Sequence, residues 1–340
     1  LSANGDNVLE FGLRRAQGPD AGIYGARAAI IAGCSSTSNV LCGKMFNIPI
    51  SGTNAHSWVM SFSDEITAFR EYAKLYPNSC ILLVDTYDTL NSGVPNAIKV
   101  FRELKDSGHD LKFYGVRLDS GDLVSISKKV RKQLDDAGFK DAVISASNEL
   151  DENSIYDLKL KGAEITVWGV GTNLITSKDW SSFGGVYKLS AIYDDNGNSI
   201  PKIKVSNSTE KRTNPGEKKI YRIYNKHTKK IETDLLCLSD ESITNNNDLI
   251  IFNSEDNNIT MNLKKDTFIL KDLLVPIFKN GNCVYNSPNI LDIQQHCKEE
   301  LESLSYNNKK IKNPDIITIY LSSKLNNLKK DMLKRVIDKN

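Results

Sequence analysis

The run Gly115-Val116-Arg117-Leu118-Asp119-Ser120-Gly121-Asp122-Leu123 is the densest stretch of chemically capable residues in the chain. An apolar segment delivers Arg117 and Asp119, and Ser120 and Gly121 then open a helical pattern. Arginine suits phosphate or carboxylate. A helix start offers free backbone N–H groups to an anion. Asp119 and Asp122 suit ribose hydroxyls or magnesium. The same spacing also suits Ser120 or Asp119 as a plain helix cap, and both readings stay open. Gly169-Val170-Gly171-Thr172 lets backbone approach a phosphate closely, or simply turns the chain. Lys188, downstream in Phe183-Gly184-Gly185-Val186-Tyr187-Lys188, either reaches the same anion or is solvated. His56, one of four histidines, follows Gly52-Thr53-Asn54-Ala55 and offers a nucleophile or proton carrier near neutral pH. Phe11 beside Arg14 and Arg15 suits stacking on a planar ring with an anion nearby, or a charged surface turn.

Repeated strand–helix units must position these residues. Short apolar runs end at Val84, Leu118, Ala146 and Trp168, and runs of this kind suit strands buried on both faces of a parallel sheet. Leu123, Ile126, Val130 and Leu134 form one helical stripe, with Gly138 as its closing cap. The segments 64–75 and 96–104 read as helices too. Ile48-Pro49-Ile50-Ser51 reads as another strand leading to His56. Polar residues just after parallel strands gather at one rim. Here they are Thr53 to His56, Asp85, Asp119 to Asp122, Ser147-Asn148 and Gly169 to Thr172. Periodicity does not distinguish an open sheet from a closed barrel.

Beyond about residue 190 the pattern changes. Asp194-Asp195-Asn196-Gly197-Asn198 and Pro215-Gly216 are turn signals, and Tyr221-Arg222-Ile223-Tyr224 suits a strand entering a turn. The Asn-rich stretch from Thr244 to Asn262 reads as a loop-bearing surface segment of biased composition. Residues 288–305 and 315–336 read as helices. The expected division is 1–235 for the barrel region and 236–340 for a smaller subdomain.

Bulk properties narrow the function classes. The chain has 340 residues, 40% hydrophobic and 25% charged, with a formal net charge of +2. That charge argues against nucleic acid or a membrane surface as partner. No apolar run is long enough to span a bilayer, and the first residues do not resemble a signal peptide. The six cysteines form no CxxC pair and no zinc spacing, which fits free thiols in a cytoplasmic setting.

Several motifs, in order, resemble the nicotinate phosphoribosyltransferase family. They are Glu10-Phe11-Gly12-Leu13-Arg14-Arg15-Ala16-Gln17-Gly18-Pro19-Asp20, Ser38-Asn39-Val40-Leu41, Gly52-Thr53-Asn54-Ala55-His56-Ser57-Trp58-Val59, Asp85-Thr86-Tyr87-Asp88-Thr89, Gly115 to Asp122, and Gly184-Gly185-Val186-Tyr187-Lys188-Leu189. Residues Lys204 to Arg222 are similar to the family's Pro-Gly-bearing connector. The resemblance implies an α/β fold of the type II phosphoribosyltransferase kind. That fold has an irregular parallel barrel, a smaller C-terminal subdomain and an N-terminal domain expected to be mostly absent from this chain. It further implies transfer of a phosphoribosyl group from phosphoribosyl pyrophosphate (PRPP) to nicotinate, with ATP and Mg2+, in a head-to-tail homodimer.

By resemblance, Phe11 stacks the pyridine ring with Arg14 beside it, and Ser38 and Asn39 distinguish its carboxylate. Arg117 and Asp119 hold the phosphoribosyl moiety. Gly169, Gly171 and Thr172 cradle its 5′-phosphate, and Thr53, Ser120 and Lys188 complete the substrate contacts. Asp122 is the expected metal ligand. His56 is the expected phosphohistidine, with Asp85 orienting its ring. Rival readings are nicotinamide phosphoribosyltransferase, whose motifs differ around Arg14 and Ser38-Asn39, another phosphate-binding barrel enzyme, which lacks a convincing catalytic lysine here, and a non-catalytic binding protein.

Overall fold

The structure, a computed structural model, describes residues 1–206 and 212–337. Residues 207–211 of the expected connector lie outside the described residues. Contacts divide the chain into two compact units, 1–182 with 288–298, and 183–287 with 299–340. This partition differs from the expected division after residue 235 and falls near the change of pattern at about residue 190.

The first unit is built on a six-stranded parallel sheet. Its strands are β1 (Asn7–Glu10), β2 (Ser36–Thr37), β3 (Ser79–Leu83), β4 (Phe113–Leu118), β5 (Val143–Ala146) and β6 (Val167–Val170), in the order β2-β1-β6-β5-β4-β3. The apolar runs form β3 to β6 because each is buried on both faces, with Leu82, Val116, Ile144 and Trp168 almost wholly enclosed. Around the sheet are α1 (Pro19–Ile31), α2 (Val40–Phe46), α3 (His56–Met60), α4 (Glu65–Leu75), α5 (Val94–Asp106), α6 (Leu123–Asp136), α7 (Glu152–Leu160) and α8 (Thr172–Ile175). On α6, Val130 and Leu134 are fully buried, as the stripe requires. Gly138, at φ +90°, follows that helix in the left-handed region.

By strand pairing the sheet is a curled half-barrel, and the segment from Ile50 to Asn54 spans the remaining gap. Ile50 bridges Thr37 on the β2 edge. On the other edge, Asn54 Oδ1 accepts the Leu83 N–H at 3.3 Å. The expected strand at 48–51 is therefore a single bridge. Pro49 has no N–H to extend a ladder, and only its carbonyl takes part, accepting from Thr37.

Gly115 shows how tightly β4 and β5 approach. It sits at φ +157°, and a β-carbon there would lie 2.0 Å from the Val143 carbonyl oxygen. Gly115→Ala is expected to lower unfolding free energy by about 3 kcal/mol, since backbone must move to admit it. A denaturant midpoint equal to that of the parent protein would contradict this close approach.

The second unit opens with a hairpin of β7 (Ala191–Tyr193) and β8 (Ser199–Pro201). Its main sheet joins β9 (Lys218–Asn225), β10 (Ile231–Leu238), β11 (Leu249–Asn253), β12 (Thr260–Leu263), β13 (Phe268–Asp272) and β16 (Ile319–Leu321), in the order β12-β11-β16-β10-β9-β13. A short hairpin of β14 (Phe278–Lys279) and β15 (Asn282–Cys283) lies between. The helix α9 (Ile290–Ser303) begins in the first unit's residues and ends in the second's, and α10 (Ser323–Ile337) closes the described chain. Along β10, Ile231, Thr233, Leu235 and Cys237 are buried in alternation, the period of a sheet with one covered face.

Two expectations are corrected in this unit. The Asn-rich stretch is not only loop: it supplies β11 and the start of β12, and Ile251 enters the core. The helix expected from 315 begins only at Ser323, because β-branched Ile317, Thr318 and Ile319 favour the strand that β16 forms between β10 and β11. No helix among the described residues is long and apolar enough to cross a membrane.

Candidate active site

The C-terminal ends of the parallel strands deliver the expected rim. Arg117, the penultimate residue of β4, is its hub. Its Nε donates to Ser147 Oγ at 2.9 Å. One terminal nitrogen donates to Thr53 Oγ1 at 2.7 Å, and the other to Asp119 Oδ1 at 2.9 Å. One side chain thus joins the ends of β4 and β5 to the gap-spanning segment. The planar fork makes this possible, since it offers several donors in fixed directions.

Asp85, one residue past Val84, has a side chain only 3% exposed. Its Oδ2 accepts the Asp119 N–H at 2.8 Å and the Ser120 hydroxyl at 2.6 Å. It therefore pins the turn after β4. Its other oxygen, Oδ1, is buried with no hydrogen-bond partner, an arrangement that is expensive unless something else meets it. Asp119 accepts from Arg117 and from the Ser147 hydroxyl. Burial pushes its carboxyl upward, but the Ser147 hydrogen bond, the Arg117 guanidinium and nearby His56 outweigh burial and hold it below the usual range. A depressed folded value means ionised Asp119 favours the folded state at neutral pH. That contribution is lost as pH falls through the folded value, in the acid range.

His56 opens α3 and is 41% exposed. Its Nε2 lies 3.6 Å from Asp119 Oδ2 and 4.0 Å from Asp85 Oδ1, while Nδ1 lies 3.2 Å from Thr86 Oγ1. The expected direct hydrogen bond from the ring N–H to Asp85 is not formed, since 4.0 Å is too long. Thr86 makes the closest contact, and the sequence reading gave Thr86 no role. Its only signal was its place directly after Asp85 at a strand end.

The second cluster lies at the ends of β1, β2 and β6. Phe11 lies over Gly169, where a β-carbon would come within 2.7 Å of the ring, and a β-carbon on Gly171 would come within 3.0 Å of the Phe11 carbonyl oxygen. Both glycines are therefore needed small by Phe11 itself. Thr172 starts α8 directly after them. Glu10, which the sequence reading also left without a role, is fully buried. It accepts the Gly12 N–H through Oε1 and the Thr37 hydroxyl at 2.5 Å through Oε2. It so couples the Phe11 turn to the turn carrying Ser38 and Asn39. Asn39 caps α2 through Oδ1, which leaves its buried Nδ2 without a partner. Arg14 is exposed on the short helical turn that follows Phe11. Beside the rim, a cavity of about 480 Å³ is lined by Ser38, Gly52, Thr53 and Tyr72, among others.

Asp122 caps α6, its Oδ1 accepting the N–H groups of Val124 and Ser125, and no group of three or more acids, histidines or cysteines among the described residues could hold a metal. Lys188 belongs to the second unit and is exposed. All six cysteines are free. Burial pushes Cys34 up to about 11 and Cys80 to about 12, so neither thiol is poised as a nucleophile.

Comparisons with known proteins identify the family and the fold. The profile of the "Nicotinate phosphoribosyltransferase (NAPRTase) family" matches residues 7–233. That of the "Nicotinate phosphoribosyltransferase C-terminal domain" matches residues 217–329. A nicotinate phosphoribosyltransferase of Bacillus subtilis (strain 168) is 49% identical over 319 residues, covering 94% of this chain and 64% of that protein. One from Caenorhabditis elegans is 33% identical, over 94% of this chain and 65% of its own length. The chain thus spans somewhat less than two thirds of these curated relatives. The crystal structure of human nicotinic acid phosphoribosyltransferase superposes with a TM-score of 0.78 at 26% identity, covering 97% of this chain and 71% of that one. A nicotinate-nucleotide pyrophosphorylase from Pyrococcus furiosus shares the fold, with a TM-score of 0.64 at 22% identity over 91% of this chain and 68% of its own.

Proposed function

Because this chain belongs to the nicotinate phosphoribosyltransferase family, we propose that it joins nicotinate to the phosphoribosyl group of PRPP, coupled to ATP hydrolysis, in NAD biosynthesis. The observation that carries the reading is the convergence on one rim of Asp85 after β3, Arg117 and Asp119 at the end of β4, and His56 at the start of α3. The pyridine nitrogen attacks C1 of the ribose as the C1–O bond to pyrophosphate breaks. Positive charge grows on the sugar, so fixed carboxylates beside it lower the barrier. Asp119, held ionised by its neighbours, supplies that charge, and Arg117 holds it in place. Phe11, backed by Gly169, offers a ring face for the pyridine. Ser38 and Asn39, with the unpartnered Nδ2, offer donors to the nicotinate carboxylate, with Arg14 nearby in sequence. Gly171 and Thr172 receive the 5′-phosphate.

Magnesium binds through one or two carboxylates together with substrate phosphates. Asp122 offers such a carboxylate, since its capping bonds use Oδ1 alone. Bound there, the ion would neutralise the departing pyrophosphate. His56 is the residue that ATP phosphorylates. The exposed apolar side chains Phe183, Val186, Tyr187 and Leu189 support assembly with a second copy. Free cysteines support a cytoplasmic setting.

The test is incubation of the purified protein with radiolabelled nicotinate, PRPP, ATP and Mg2+. Labelled nicotinate mononucleotide, formed faster with ATP and not competed away by nicotinamide, is the expected result. No labelled product from an otherwise folded protein would overturn the reading. In His56→Ala the ratio of rates with and without ATP should fall to about one, since phosphorylation needs the ring nitrogen. A ratio equal to the parent's would remove the phosphohistidine.

A further inference from the structure

The two nitrogens of the His56 ring have opposite surroundings. Facing Nε2 are Asp119 Oδ2 at 3.6 Å and Asp85 Oδ1 at 4.0 Å. The Asp85 oxygen is buried without a hydrogen-bond partner. Two carboxylate oxygens repel a bare nitrogen lone pair and attract an N–H, so the neutral ring carries its proton on Nε2. Nδ1 is then the lone pair. Thr86 Oγ1, 3.2 Å away, can only donate to it.

A buried clamp fixes that distance. Asp88 caps the single π-helical turn Thr89–Gly93 that follows Thr86. Gly93 backs onto the Val84 carbonyl, where a β-carbon would come within 2.0 Å. Glu65, on the helix that follows His56, accepts from the Ser92 hydroxyl at 2.6 Å and from Asn96 Nδ2 at 3.0 Å. The stretches downstream of His56 and of Thr86 are thus tied by one carboxylate only 5% exposed. Irregular turns of this kind recur beside functional sites.

We propose that Thr86 is a positioning residue that presents Nδ1 of His56 to ATP and then donates its hydroxyl to the phosphoryl group formed there. The inference rests on the reading of His56 as the phosphorylated residue. In the step, the Nδ1 lone pair bonds to the γ-phosphorus while the bond from that phosphorus to the bridging oxygen of ADP breaks. ADP leaves with the electron pair. The ring keeps its Nε2 proton and becomes a phosphorylated imidazolium whose positive charge faces Asp119 and Asp85.

Thr86→Val removes the donor at nearly constant shape, and Thr86→Ser restores it. Labelling from ATP carrying 32P at the γ position, in the intact protein, should slow roughly tenfold in Thr86→Val, the equivalent of one hydrogen bond. Thr86→Ser should stay within about twofold of the parent on the same grounds. Imidazole 15N spectra of the parent protein, with the His56 signal identified by its absence in His56→Ala, should show the Nε2–H tautomer. Parent-like labelling in Thr86→Val, or an Nδ1–H tautomer in the parent, overturns the proposal. A parent protein that takes no label at His56 sinks the phosphohistidine reading instead, and the tautomer still decides the geometry of Thr86.

Discussion

Asp119→Ala is expected to lower kcat about a thousandfold at saturating PRPP, nicotinate and ATP, the upper end for removing one preorganised charge at a developing transition state. Asp119 is the rim residue through which the other groups communicate. Its backbone N–H is held by Asp85, its carboxylate by Arg117 and Ser147, and its free side faces His56. Alanine keeps the backbone bond to Asp85 but removes the charge. The Arg117 fork then faces no anion, and the imidazole keeps only Asp85, at 4.0 Å. Asp119→Asn keeps the shape and should lose less. Near-normal kcat in Asp119→Ala, measured with labelled nicotinate, would show that the carboxylate does not act on the reacting sugar.

Arg117→Ala should reduce kcat/KM for PRPP about a hundredfold and lower unfolding free energy by about 2 kcal/mol. The side chain is 17% exposed and donates to Ser147, Thr53 and Asp119 at once. Its loss leaves a partly buried carboxylate without its cation. It also removes the tie between the gap-spanning segment and β4, leaving that segment held at its Ile50 and Asn54 ends. Lysine would keep the charge yet reach only part of the fork's partners, so Arg117→Lys should recover stability more than catalysis. Steady-state kinetics with urea unfolding separate the two effects. Equal recovery of both would mean that charge alone, not the fork, organises the rim.

Much of the site was legible in the linear sequence because it depends on local rules. Apolar runs buried on both faces mark parallel strands, and the residue after each run must lie at the C-terminal rim. Asp85, Arg117, Asp119, Ser120 and His56 followed from that placement together with their side-chain chemistry. Phe11, Gly169 and Gly171 were singled out by their motifs, and only packing set the ring against the glycines.

Other features were settled only by tertiary packing. Arg117 and Thr53 are 64 residues apart, and no periodicity encodes that bond. The gap-spanning segment looked like a strand because its apolar residues were counted without the edges they meet. The cap expected at Ser120 or Asp119 falls instead on Asp122, whose Oδ1 accepts the N–H groups of Val124 and Ser125. Glu10 and Thr86 gained roles only when Thr37 and His56 were brought beside them. Composition made the Asn-rich stretch look like loop, yet Ile251 found an apolar core there. Apart from the local cap at Asp122, each side chain's partner comes from a distant part of the chain, so its role is decided by which strands the fold makes neighbours.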